Sequence, residues 1–168
     1  MNTYETERLI LKPVSKEDAQ FVLELMNSEK WLQNIGERNV KTIEDAEKYI
    51  EERMRPQYIK GYYNYLVVNK ETLEKMGSCG IFTRDGLEIP DIGFAFLPQF
   101  EGKGFAYESA KKVFELGIQN LGITKLSGIT LETNHSSRKL LEKLGLIFKR
   151  MVSLPDDTQE LMYYEWEK

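Results

Sequence analysis

Between an apolar run ending at Leu97 and an amphipathic stretch beginning near Phe105 lies Pro98-Gln99-Phe100-Glu101-Gly102-Lys103-Gly104-Phe105-Ala106. Gly102, Gly104 and Ala106 occupy alternate positions. Glycine permits backbone conformations and close approaches that a Cβ forbids, and the first N–H groups of a helix have no intrahelical acceptor. With a helix dipole behind them, such donors suit a pyrophosphate. The same spacing also serves a loop whose glycines only turn and pack, so these residues alone leave both readings open. Two nucleotide-binding signatures are excluded. No Gly-Lys-Ser/Thr follows at Walker spacing, and Gly102-x-Gly104 runs into Phe105-Ala106-Tyr107 in an antiparallel context, unlike the dinucleotide fingerprint. Lys103 is the nearest cation to the turn and could reach a phosphate, although an exposed loop lysine is ordinarily only solvated.

Two further residue types invite a chemical reading. Cys79, the only cysteine, sits in the apolar run Ser78-Cys79-Gly80-Ile81-Phe82 with no neighbouring histidine, which favours a packed thiol over an acyl-carrying nucleophile. Its being single excludes an internal disulfide and a cysteine-rich zinc site, and an unpaired thiol fits a cytoplasmic location. His135, the only histidine, stands beside Asn134 at a helix start, the place of an ordinary exposed first-turn residue. No metal is expected.

The elements that must hold the turn follow from periodicity. Arg8 to Lys12 alternates with Leu9 and Leu11 on one face and reads as a strand stopped by Pro13. Ser15 caps a helix in which Ala19, Val22, Leu23 and Met26 make one apolar stripe. Thr42 caps a second, with Ile43, Ala46, Tyr49, Ile50 and Met54 at helical spacing until Pro56. Asn27 to Lys41 carries no period and reads as loop, a natural place for specificity. Tyr65–Val68, Ser78–Phe82 and Ile92–Leu97 are β-branched and aromatic runs joined by short polar connectors, predicting an antiparallel meander. Then come a helix from about Gly104 to Leu121, a strand Leu126–Leu131, a helix from about Ser136 to Leu144, and strands near Ile147–Leu154 and Leu161–Trp166. The predicted fold is α+β, or mixed α/β: a sheet of seven strands with about four helices, in the order β-α-α-β-β-β-α-β-α-β-β.

Bulk properties agree with an ordinary folded chain. Its 168 residues, 41% hydrophobic and 30% charged, predict a single domain over residues 1–168 with a core of its own. The net charge of −4, with no cluster of Lys or Arg, gives a nucleic-acid partner no source of counterion-release affinity. The first eight residues lack the apolar core of a signal peptide, and no apolar run approaches a membrane span, so no membrane partner is expected. Tyr62-Tyr63-x-Tyr65, Trp31 and Tyr163-Tyr164-x-Trp166 could line a cleft or, more ordinarily, fill the core.

The motifs taken together resemble a family. Gln99-x-x-Gly102-x-Gly104 is similar to the Gln/Arg-x-x-Gly-x-Gly/Ala pyrophosphate loop of the GNAT superfamily of N-acetyltransferases. Asn134-x-x-Ser137 followed by Leu140-x-Glu142-Lys143-Leu144-Gly145 resembles that superfamily's later helix. Thr6-Glu7-Arg8-Leu9-x-Leu11 and Ile92-Gly93-Phe94-Ala95-Phe96 extend the similarity over nearly the whole chain, toward the ribosomal-protein N-terminal (alanine/serine) acetyltransferases. Two departures stand out: Gln99 sits where Arg is frequent, and Leu146 where Phe is.

The resemblance implies a twisted, mostly antiparallel sheet and acetyl-CoA as co-substrate. Its pyrophosphate would lie on Gln99, Gly102, Lys103, Gly104, Phe105 and Ala106, and its pantetheine beside Phe96 and Leu97. It implies Asp91 as the base that deprotonates the amine, with Glu101 a weaker candidate. Leu141 occupies the place of the usual thiolate-protonating tyrosine, so the subgroup's serine, here Ser137, takes that role by resemblance; its structural alternative is a helix-capping hydroxyl. Asn134 would orient the pantetheine, cap the helix, or both. The acceptor implied is a primary amine, by preference a protein N-terminus, with a small amine such as a polyamine or aminoglycoside as the alternative. A non-catalytic CoA-binding sensor is the alternative of another class, and self-association as a homodimer is left open.

Overall fold

Residues 2–155 and 157–168 are described by a computed structural model. Their period-two stretches build one sheet of eight strands: β1 (Tyr4–Glu5), β2 (Leu9–Pro13), β3 (Asn64–Asn69), β4 (Lys75–Phe82), β5 (Asp91–Phe96), β6 (Lys125–Thr130), β7 (Ile147–Val152) and β8 (Leu161–Glu167). The spatial order is β1-β2-β3-β4-β5-β6-β8-β7. Every neighbouring pair is antiparallel except β5 and β6, which are parallel. The meander β3-β4-β5 and the strand assignments after it match the expectation. The eighth strand is β1, whose two residues pair Tyr4 with Leu11 and Glu5 with Ile10 and are too few to show a period.

Helices cover both faces. On one, α5 (Phe105–Leu121) and α6 (His135–Lys143) press Ala110, Val113, Leu140 and Leu141 onto Leu9, Leu11, Val67, Cys79, Ile81, Ile92 and Leu126. On the other, α1 (Ala19–Met26), α2 (Glu29–Asn34), α3 (Ile43–Tyr49) and α4 (Arg55–Ile59) enclose Val14, Val22, Leu25, Ala46, Ile50, Leu66 and Leu97. Burying such side chains stabilises the fold by about 1.5–3 kcal/mol each as an upper estimate.

Two expectations for the first half are corrected. Asn27–Lys41 is not all loop: α2 forms within it, and Trp31 donates its indole N–H to Gly36 C=O at 3.1 Å. Pro56 does not end the second predicted helix. The chain passes through a wide π turn, Ile50–Met54, in which the Arg55 N–H donates to Ile50 C=O, and continues as α4. Proline is tolerated there because it falls in the first turn of α4, where its missing N–H would have been an orphan. The capping predictions hold. Thr42 accepts from Asp45 N–H while Asp45 accepts from Thr42 N–H. Asp18 accepts from Ser15 N–H at 3.0 Å and, although buried, from Lys12 and Lys75 at 3.1 and 2.9 Å.

At the open edge, β7 exposes Ile147, Phe148 and Met151, and its register slips between Phe148 and Arg150. The irregularity and the adjacent Lys149 and Arg150 blunt what would otherwise be a flat pairing edge.

Candidate active site

The parallel pair β5 and β6 meets at one point, Asp91 opposite Ser127, where Ser127 N–H donates to Pro90 C=O at 2.8 Å. Beyond it the strands part, and β5 is paired only with β4. Leu97 N–H donates to Met76 C=O on β4, and directions alternate along a strand, so Ile92, Phe94 and Phe96 turn their backbone groups toward the gap. An extended amide chain lying there would find the donors and acceptors of a missing strand. The sequence expectation at this end resolves into two parts. Phe96 offers its backbone to the gap, whereas the Leu97 N–H is taken by β4, and both side chains are buried.

The glycine turn closes the wide end. Pro98–Phe100 form one short 3-10 turn, then Gly102 and Gly104 adopt φ of 72° and 82°, the left-handed region where a Cβ is strained. The N–H groups from Gly102 to Tyr107 meet no acceptor among the described residues, and α5 has no side-chain cap. Gln99 and Gly102 to Gly104 are exposed, with Phe105 and Ala106 half-buried behind them. Free, solvent-facing donors at the start of a 17-residue helix fit an anionic group such as pyrophosphate. Gln99 contributes no charge here, so the backbone carries the site.

Asp91 stands at the narrow end. It is fully buried rather than solvent-facing, and Arg84 Nε donates to its Oδ2 at 2.5 Å. Its Oδ1 has no partner among the described residues, which leaves one carboxylate oxygen for a water or an ammonium. Burial pushes its pKa above the ordinary value; Arg84 and the nearby Ile129 N–H oppose the rise without cancelling it. In the sequence Arg84 falls within the short polar connector between Phe82 and Ile92, where nothing local signals a carboxylate partner. Its partnership depends on the β4–β5 register, which sets Phe82 opposite Asp91.

Across the gap, α6 presents Asn134 and Ser137. Asn134 Oδ1 accepts from the Ser137 N–H at 3.2 Å, so Asn134 is the helix cap. The half-buried Ser137 hydroxyl makes no hydrogen bond among the described residues and has no capping duty. Lys143 Nζ lies 3.9 Å from the Tyr107 ring centroid, tying α6 to the first turn of α5.

Other candidates separate clearly. Tyr164 is fully buried and its hydroxyl lies 3.4 Å from both Arg138 Nε and Glu142 Oε1, a structural knot. Tyr163 donates to Glu165 at 2.9 Å and, largely through burial, has its pKa pushed up to about 12. Tyr65 is buried, and Trp166 packs edge-on against Phe114. Glu101 is exposed at the wide end, separated from Asp91 by the length of β5. His135 is exposed, and Cys79 is buried with its pKa pushed up to about 12 by desolvation, which denies it a nucleophilic thiolate. The described residues hold no His/Cys/Asp/Glu group able to bind a metal and no helix long and apolar enough to cross a membrane.

Residues 8–147 match the family model described as an acetyltransferase (GNAT) domain. The uncharacterised N-acetyltransferase YoaA of Bacillus subtilis is 26% identical over 142 residues, which cover 84% of this chain and 80% of that protein. Among solved structures, the ribosomal L7/L12 α-N-protein acetyltransferase RimL in complex with coenzyme A matches with a TM-score of 0.84 at 15% identity, covering 99% of this chain and 98% of that one. An acetyltransferase from Agrobacterium tumefaciens str. C58 matches with a TM-score of 0.83 at 20% identity, covering 100% and 95%.

Proposed function

Since this chain belongs to the GNAT acetyltransferase family, enzymes that take their acetyl group from acetyl-CoA, we propose that it transfers that group directly to the neutral α-amine of a protein N-terminus. The observation that carries the reading is the gap itself, with free amides at its wide end and a buried carboxylate at its narrow end. The α-ammonium ion must lose a proton to become the amine that attacks the thioester carbonyl, and Asp91 Oδ1 is the unpartnered acceptor proposed to take it, directly or through one water. The C–S bond then breaks, and the departing sulfur needs a proton or a hydrogen bond, which the free Ser137 hydroxyl supplies. Phe94 and Phe96 hold the pantetheine amides, and Gly102 to Ala106 hold the pyrophosphate. Preference for a protein N-terminus over a small amine is supported by the match to a ribosomal-protein acetyltransferase.

Release of free CoA from acetyl-CoA, measured against N-terminal peptides, polyamines and aminoglycosides, tests this. Peptide-dependent release is expected. Release driven only by small amines would move the acceptor class, and release with none would favour a CoA sensor.

The cofactor loop has its own check. A Cβ on Gly102 or on Gly122 meets nothing within 4 Å, and both residues have positive φ, at 72° and 62°. Gly102→Ala and Gly122→Ala should therefore cost the unliganded fold similar amounts, about 1 kcal/mol. In wild type, CoA at about a hundred times its Kd stabilises by about 2.7 kcal/mol. Only Gly102→Ala should lose most of the resulting rise in Tm; an equal rise in both variants would take the pyrophosphate off this turn.

A further inference from the structure

Arg8, in the bend just before β2, reaches across to the glycine turn and the first turn of α5 and makes three kinds of contact there. Its Nη1 donates to Lys103 C=O at 3.0 Å, its Cζ lies 4.5 Å from the Phe105 ring centroid, and its Nε donates to Glu108 Oε2 at 2.7 Å. Glu108 in turn accepts at Oε1 from the Arg8 N–H at 2.9 Å and from the Thr6 hydroxyl at 2.6 Å, while Thr6 Oγ1 accepts from Leu9 N–H at 3.1 Å. Arg8 and Glu108 are 100 residues apart in sequence. Nothing in the sulfur or amine chemistry uses either residue.

The geometry assigns them a task. A peptide unit is planar and trans, so fixing the Lys103 C=O toward Arg8 turns the Gly104 N–H the opposite way, away from the guanidinium. Arg8 Nη2 lies 3.3 Å from where a Gly104 Cβ would stand, so the left-handed turn and the guanidinium fit against one another. Glu108 is the one acid in the first turn of α5, where its charge would oppose a bound phosphate; the paired Arg8 neutralises it. The hydrogen bonds from Thr6 and Arg8, against the opposing effect of partial burial, hold the Glu108 carboxyl below its ordinary pKa.

We infer that Thr6, Arg8 and Glu108 form a clasp that sets the cofactor loop in its binding shape before CoA arrives, with Arg8 as the positioning residue. This rests on the assignment of the pyrophosphate to Gly102–Ala106. A loop that must be ordered by its ligand binds it more weakly than one already ordered. Two other accounts make different forecasts. Simple charge balance near an anion predicts that removing Glu108 tightens binding and removing Arg8 loosens it. A purely structural role predicts a lower Tm with unchanged affinity.

The test measures CoA affinity by calorimetry, with the Tm of each unliganded protein, for wild type, Arg8→Lys, Arg8→Ala, Glu108→Gln and the Arg8→Ala/Glu108→Gln double variant. At temperatures where all are folded, both Arg8→Ala and Glu108→Gln should weaken CoA about tenfold or more, and the double variant should be no worse than the weaker single. Arg8→Lys keeps the charge without the planar fork and should bind worse than wild type. Saturating acetyl-CoA should restore kcat, leaving the defect in KM. Tighter binding by Glu108→Gln, or unchanged Kd in both Arg8 variants, overturns the clasp while leaving the acetyltransferase assignment intact. A wild-type chain that does not bind CoA removes the loop assignment as well.

Discussion

Asp91→Asn is expected to lower turnover about 100-fold or more while CoA affinity stays nearly unchanged. The amide keeps an oxygen able to accept from Arg84 Nε, so the fold should survive, and only the capacity to take a proton is lost. The pH profile sharpens the test. The working form of the residue is the carboxylate, and burial lifts its pKa above the ordinary 3.8 even against the Arg84 charge. Wild-type turnover should therefore fall as pH drops through that raised value, and Asp91→Asn should lack this limb altogether. Wild-type rates in Asp91→Asn across pH would return the proton to bulk water or to another carboxylate.

Ser137→Ala separates two properties that often change together. The Asn134 side chain already satisfies the Ser137 N–H, and the Ser137 hydroxyl is free, so removing it should shift Tm very little. A donor aimed at developing charge in a dry site is worth about 3 kcal/mol, so the rate per folded molecule should fall about 100-fold. An unaltered rate with an unaltered Tm would retire Ser137 from the chemistry. Of the tyrosines Tyr107, Tyr163 and Tyr164, Tyr107 would then be the one to test next, since Tyr163 and Tyr164 are held by Glu165 and by the Arg138–Glu142 pair.

What sequence could reveal divides along the range of the interactions involved. The strands β3 to β5 and the helices α5 and α6 follow from local period, and the glycine turn from residue type, so each is visible in a short window. The parting of β5 and β6 is not local: it is set by a single point of contact, Asp91 to Ser127, between segments separated by α5. The same holds for the site's supporting shell. The Arg84 and Asp91 pair depends on strand register, and the Arg8 and Glu108 pair on a helix docking beside the first long strand. Pro56 misled for a different reason. The rule that proline ends a helix assumes an uninterrupted α ladder, and the π turn before it removes that assumption.

Cys79 offers a practical consequence of the packing between β3 and β5. It is the sole thiol in the sequence, it is wholly shielded in the sheet, and burial raises its pKa to about 12. A thiol-reactive dye added to the native protein has no thiolate to capture, so all colour developed during turnover belongs to CoA set free by the reaction. In the absence of acetyl-CoA the same dye becomes a clock for the core: it labels the chain only when α5 lifts away from β4, and the labelling rate in mild denaturant reports how often that opening occurs.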